Sequence, residues 1–191
     1  MNTKRLIPLA VLALAVACSE SASNPQENSV SDGFKPQFLT TVNLENAPEG
    51  AHFRQGFGAP VCTISGLTVS CTGTQIGGVG NTDADVSLTI TYAATVQCRN
   101  HGGQIVEVKT QSTTVAPAPD ELTEVRNGTL IVGAFSASTV PTDETFEALA
   151  TCPNGNWTKE VLGEPTVSSF TYTLTFEGFT EPAIIVTGPD V

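Results

Sequence analysis

The sequence predicts an all-β domain, an antiparallel β-sandwich of about eight to ten strands with little helix. Three observations carry this expectation. Thr, Val and Ile number 27, 19 and 8 in a chain of 191 residues, against 13 Leu and one Met, so β-branched residues outweigh the usual helix formers. In residues 86–98, Val86, Leu88, Ile90, Tyr92, Ala94, Val96 and Cys98 share one parity, while Ser87, Thr89, Thr91, Thr95 and Gln97 hold the other. Period two kept over that length puts one face in a core and one in water. Phe170, Tyr172, Leu174 and Phe176 repeat the pattern, with Thr171, Thr173 and Thr175 between them. One-sided strands without long helices between them form antiparallel sheets with one wet face, and two such sheets bury their apolar faces against each other.

The chain begins with a leader. Lys4 and Arg5 precede an apolar run, residues 6–17, broken only by Pro8. As a helix that run rises about 18 Å, short of a bilayer core of about 30 Å, so residues 1–17 read as a signal peptide. Ala15-Val16-Ala17 stands before Cys18, as small residues do in the bacterial lipobox, although the usual Leu three positions before the Cys is Ala15 here. Five Cys in an exported chain leave one unpaired. Lipid on Cys18 accounts for it and leaves Cys62, Cys71, Cys98 and Cys152. Residues 18–33 are then a lipidated Cys and a polar tether, and residues 34–191 a single domain. The expected address is extracytoplasmic, anchored by lipid at the cell membrane; free secretion after the Ala-x-Ala cut is the alternative.

Shorter strands are expected at residues 38–44, 61–64, 67–71, 105–113, 129–137, 157–162 and 183–187, punctuated by Gly, Pro and Asn. Gly77-Gly78-Val79-Gly80 reads as a turn, since no helix follows to present its N-terminus to a phosphate. Residues 119–126 fit a strand leading into an Asn127-Gly128 hairpin turn, or a short helix from Pro119. Residues 142–150 predict two helical turns capped by Thr142, with Phe146 and Leu149 on one side. A two-residue turn at Ser65-Gly66 makes Cys71 the diagonal neighbour of Cys62, close enough for a disulfide; Cys98 and Cys152 pair by elimination. Disulfides agree with an exported protein, and no C-x₂-C spacing suited to zinc is present.

Chemistry is sparse. Loss of Lys4 and Arg5 with the leader leaves six basic residues against 19 acidic, a net charge of −13, which excludes nucleic acid as a natural partner. No G-x-S-x-G, S-x-x-K, H-E-x-x-H or P-loop occurs. His101, directly after the long strand, and Trp157, beside Asn154-Gly155-Asn156, are the candidate ligand-binding residues; a loop histidine and a core tryptophan are the structural readings of the same positions. Asn81, Asp83 and Asp85 place oxygen ligands at alternating positions, as a calcium loop does, but Val86 and Tyr92 stand where an EF-hand has Gly and Glu. His52 reads as a solvated histidine. The rows of outward Thr form either a flat binding ladder or a wet β-surface.

Residues 59–62 (Ala-Pro-Val-Cys), 69–74 (Val-Ser-Cys-Thr-Gly-Thr), 78–81 (Gly-Val-Gly-Asn) and 98–103 (Cys-Arg-Asn-His-Gly-Gly) resemble secreted proteins and lipoproteins of high-GC Gram-positive bacteria that are similar to bacterial immunoglobulin-like repeat domains. The resemblance implies an immunoglobulin-like sandwich with a paired-Cys hairpin before a long strand, and it carries over no catalytic residue or cofactor. The function expected is that of a non-catalytic surface lipoprotein, a binding, adhesive or structural module for a protein or carbohydrate. Two alternatives are a secreted hydrolase or carbohydrate-active enzyme using His101 with Asp83 or Asp85, and a calcium-stabilised structural module.

Overall fold

Twelve strands and one α-helix occupy residues 38–189, which are the residues that the computed structural model describes. The leader, Cys18 and the tether lie outside the described residues. In chain order the elements are β1 (Leu39–Val42), β2 (His52–Phe53), β3 (Cys62–Ser65), β4 (Thr68–Cys71), β5 (Thr74–Gly80), β6 (Ala84–Arg99), β7 (Ile105–Pro117), β8 (Thr123–Arg126), β9 (Gly128–Val132), β10 (Phe135–Ala137), α1 (Asp143–Leu149), β11 (Thr158–Phe176) and β12 (Ile184–Gly188). All pairings are antiparallel. The molecule is an all-β sandwich, with more strands than the eight to ten expected.

One layer is a five-stranded sheet in the order β1-β12-β11-β6-β7. Its centre is the pair of long strands β6 and β11, registered with Ile90 opposite Phe170 and Leu88 opposite Tyr172. Burial along β6 alternates from Ala84 to Cys98 as the sequence predicts, and Phe170, Tyr172, Leu174 and Phe176 of β11 are buried while the Thr residues between them are half-buried on the outer face. The two runs expected at 157–162 and 170–176 are one strand, irregular between Leu162 and Thr166 and again between Val167 and Ser169. Gly163, at φ 69°, supplies the first break.

The second layer contains two smaller sheets, β10-β4-β3 and β2-β5-β9-β8. Cys71 pairs with Phe135 in one and Thr74 with Val132 in the other, so the two pairings continue in one register. β4–β5 and β9–β10 therefore form a single antiparallel ribbon, bent at Gly73. A Cβ on Gly73 would lie 2.4 Å from the Val132 carbonyl oxygen, a distance that backbone atoms cannot yield. This is why residues 129–137, expected as one strand, divide into β9 and β10. Beside the bend, the buried Thr74 Oγ1 donates to the Gly58 carbonyl at 2.7 Å.

Residues 77–80, expected as a turn, belong instead to β5, whose register shifts between Gly77 and Gly80. Glycine there marks a close approach: a Cβ on Gly78 would lie 2.2 Å from the Gly50 carbonyl oxygen. The hairpin reading of residues 119–126 holds. β8 and β9 join through Asn127 and Gly128 at φ 50° and 72°, the twist that matches right-handed strands.

Ile76, Leu130, Val69 and Val132 from the second layer meet Leu88, Ile90, Phe170 and Leu174 in one core. Tyr92 crosses between the layers, its Oη donating to the Leu67 carbonyl at 3.1 Å. α1 covers the far part of the large sheet through the fully buried Phe146, and Lys159 Nζ caps it by donating to the Glu147 carbonyl at 2.7 Å. Leu149, expected beside Phe146, is 50% exposed; the helix ends there, and the buried Ala150 takes the inward place.

Both disulfides form. Cys62 faces Cys71 directly across β3–β4, with Cα atoms 4.0 Å apart. The expected diagonal placement is corrected by one residue, because the hairpin turns at Gly66-Leu67, with Ser65 opposite Thr68. Gly66, at φ 58°, accepts the left-handed position. Cys98, at the end of β6, bonds Cys152 after α1, with Cα atoms 5.8 Å apart. Neither bridge joins strands of facing sheets, unlike the bridge of immunoglobulin domains.

Three outcomes follow from this packing. Gly73→Ala is expected to destabilise the domain by about 1–3 kcal/mol through overpacking at the bend, read as a lowered denaturation midpoint. Replacing Cys98 and Cys152 together by Ser is expected to cost about 4 kcal/mol of chain entropy, measured the same way against the reduced and oxidised wild type. Tyr172 Oη is buried with no hydrogen-bond partner, and burial raises its phenol above the ordinary value of 10.0. Its raised folded value means that the neutral phenol supports stability below pH 10 and that this support is lost as pH rises further. Tyr172→Phe is expected to be neutral or stabilising at pH 7, by up to about 1 kcal/mol, and to lessen the alkaline loss in a pH series of melts.

Candidate functional site

His101 and Trp157 come to the same end of the large sheet. His101 is exposed at the tip of the β6–β7 hairpin, in a loop closed by Gln104 N–H to Asn100 Oδ1 at 2.9 Å and Asn100 Nδ2 to Gln104 Oε1 at 2.7 Å. Trp157 is half-buried, next to Thr158, which pairs with Arg99. The Cys98–Cys152 bridge fixes this end and is the nearest covalent support for both residues.

Asp83 and Asp85 lie at the opposite end of β6. Asp85 and Arg99 are 14 positions apart on this strand, roughly 45 Å at about 3.3 Å per step. The hydrolytic pairing of His101 with either acid therefore has no shared site. The residues of the calcium-loop pattern are engaged differently. Asn81 is exposed in the β5–β6 turn, and Asp83 Oδ1 accepts from Ala84 N–H at 2.8 Å while the Asp83 carbonyl accepts from Glu177 N–H at 2.9 Å. An open recess of about 390 Å³ there is lined by Asp83, Asp85, Asp120 and Glu177, without Asn81. Among the described residues, no group of three or more His, Cys, Asp or Glu is arranged to hold a metal ion.

The outer face of the large sheet carries the Thr rows. Thr187, Thr171 and Thr89 follow one another across β12, β11 and β6, and Ile185, Thr173 and Ser87 form the next row. Several of these hydroxyls bind each other: Ser87 Oγ and Thr173 Oγ1 are 2.8 Å apart, and Thr91 Oγ1 and Thr113 Oγ1 are 2.9 Å apart. Such pairs hold neighbouring strands together and leave part of the hydroxyl capacity for a partner. Where β11 bulges away from β6, a shallow recess of about 230 Å³ opens, lined by Ala93, Thr95, Lys109, Gln111, Leu162 and Glu164.

A further recess lies at β2, around His52 and Arg54, in a segment that the sequence presents only as a solvated histidine before a Gly-rich bend. The signal available in the sequence is the cluster His52, Arg54, Gln55 and Phe57 within six residues of an acidic chain. Its significance depends on β2 pairing with β5, a strand that the glycines at 77–80 conceal.

Comparison with known proteins finds no matching family model, no matching curated protein and no matching solved structure, so the likeness to bacterial immunoglobulin-like repeat domains rests on the quoted residues alone.

Proposed function

We propose that the chain is a non-catalytic binding module, displayed outside the cytoplasm and held at a membrane by lipid on Cys18. The pair of disulfides supports this reading most directly. Bridges of this kind persist in oxidising compartments, and here they staple a two-layer scaffold whose loops and recesses stay open to solvent. With four cysteines paired, Cys18 is the fifth, and lipidation gives it a role consistent with the small residues before it. The open recesses and the hydroxyl-bearing sheet face favour a ligand held by many polar contacts, a carbohydrate or a polar protein surface. No helix among the described residues is long and apolar enough to cross a membrane.

Fractionation of an expressing bacterium tests the anchor. Wild type is expected in the detergent phase, with its unprocessed precursor accumulating under globomycin, and Cys18→Ala is expected in the medium. Wild-type chain recovered without lipid from the medium would remove the anchor from this reading.

A further inference from the structure

At the edge of the second layer, His52 and Phe53 pair with Gly77 and Ile76 of β5. The His52 ring is fixed, because its Nδ1–H donates to the Gly50 carbonyl at 2.8 Å and leaves Nε2 as the free nitrogen. A Cβ on Gly77 would lie 3.1 Å from both His52 Nε2 and Arg54 Cδ. The imidazole and the arginine stem thus rest together on a stretch of β5 that glycine keeps bare. Arg54 N–H donates to the Gln75 carbonyl at 3.0 Å, and Phe57 N–H donates to the Arg54 carbonyl at 2.9 Å, which turns the chain and brings Phe57 round to the same side. His52, Arg54, Gln55, Phe57 and Gln75 line one open recess of about 570 Å³, within the size range of small-molecule sites.

The recess differs in charge from its protein. The chain has a formal net charge of −11, yet this lining holds an arginine and a histidine and no carboxylate. The one ion pair among the described residues joins Arg126 to Glu124, so the Arg54 guanidinium has no carboxylate partner there. Phe57 is 44% exposed, an apolar ring in water beside two primary amides.

We propose that this recess binds a carboxylate-bearing sugar, a uronic acid residue of an acidic polysaccharide. Arg54 takes the carboxylate through its planar fork, Phe57 lies against the C–H face of the pyranose, and Gln55, Gln75 and His52 Nε2 address the hydroxyls. A peptide carboxylate would also suit Arg54. However, β2 offers only two residues of edge for main-chain pairing, so a peptide gains little from strand addition, whereas a ring beside amides matches the alternating faces and hydroxyls of a sugar. The assignment rests on the reading of the chain as a binding module and names the ligand class for it.

Titration calorimetry of the full chain with tetragalacturonate, its neutral methyl ester and a tetraglutamate peptide tests the site. The uronate is expected to bind, with the ester weaker by about tenfold or more. Arg54→Gln is expected to lose about tenfold in affinity for the uronate, the loss of one charge-assisted pair. Gly77→Ala, which places a methyl group under His52 and Arg54, is expected to weaken uronate binding as well. Arg126→Gln, a cation on β8 at the opposite edge of the same sheet, is expected to bind as wild type. Melting temperatures matched to wild type establish that the variants are folded.

The site is overturned by absence of uronate binding, by equal affinity for acid and ester, by an unchanged Arg54→Gln, or by an equal loss in Arg126→Gln. Tighter binding of tetraglutamate also overturns it, in favour of an acidic peptide. The broader reading fails separately: absence of uronate binding from a membrane-anchored chain removes this site alone, whereas a chain without lipid that still binds uronate loses only the anchor.

Discussion

Every second residue of β6 requires cover from one side along 16 residues of strand, and the remainder of the domain is arranged to provide it. At about 3.3 Å per residue β6 runs roughly 50 Å, whereas a strand of seven residues, the longest in the opposite layer, spans about 23 Å. No single facing strand reaches far enough. The opposite layer therefore continues past a bend at Gly73 as two short pieces of one ribbon, and α1 extends the cover where that ribbon ends. Burying the large side chains of the central pair, Leu88, Ile90, Tyr92, Phe170 and Leu174, contributes about 1.5–3 kcal/mol for each aliphatic or Phe residue. The two buried tyrosines meet different conditions, since Tyr92 finds the Leu67 carbonyl and Tyr172 finds no partner.

On the wet side of the same strands, the constraint is weaker and the chemistry is freer. Thr and Ser dominate because β-branched side chains suit the pleat and their hydroxyls pair across strands, as Ser87 does with Thr173. That face alone does not define a ligand. The second layer is different, since its edge strand β2 is too short to add a partner strand and serves instead to set His52 and Arg54 over bare glycine backbone.

The long strands were legible because their signal is one-dimensional: alternation in residues 86–98 needs no knowledge of what lies opposite. The disulfide pairing was legible for a related reason, since Cys62 and Cys71 flank one short hairpin and leave Cys98 and Cys152 for each other. Register was less accessible. A turn at Gly66-Leu67 rather than Ser65-Gly66 moves Cys71 from a diagonal to a direct neighbour, and the two placements differ only in which residue takes the left-handed conformation. The strand at residues 74–80 was hidden because glycine signals a turn in isolation and close backbone approach in context, here that of Gly50. The recess around Arg54 was hidden with it. The candidates named from the sequence, Asp83, Asp85 and His101, were separated by the strand that the sequence announced most clearly.

The far end of the large sheet has a distinct character. It is covered by α1 through Phe146 and is held by Lys159 on the α1 carbonyl and by the Cys98–Cys152 bond. Regions with their own small cover can open without melting their neighbours. Opening the Cys98–Cys152 bond would thus release the hairpin tip from the segment after α1 before it disturbs the bent ribbon, which carries its own Cys62–Cys71 bond. The two bonds guard different layers, one the short hairpin of the second layer and the other the end of the large sheet.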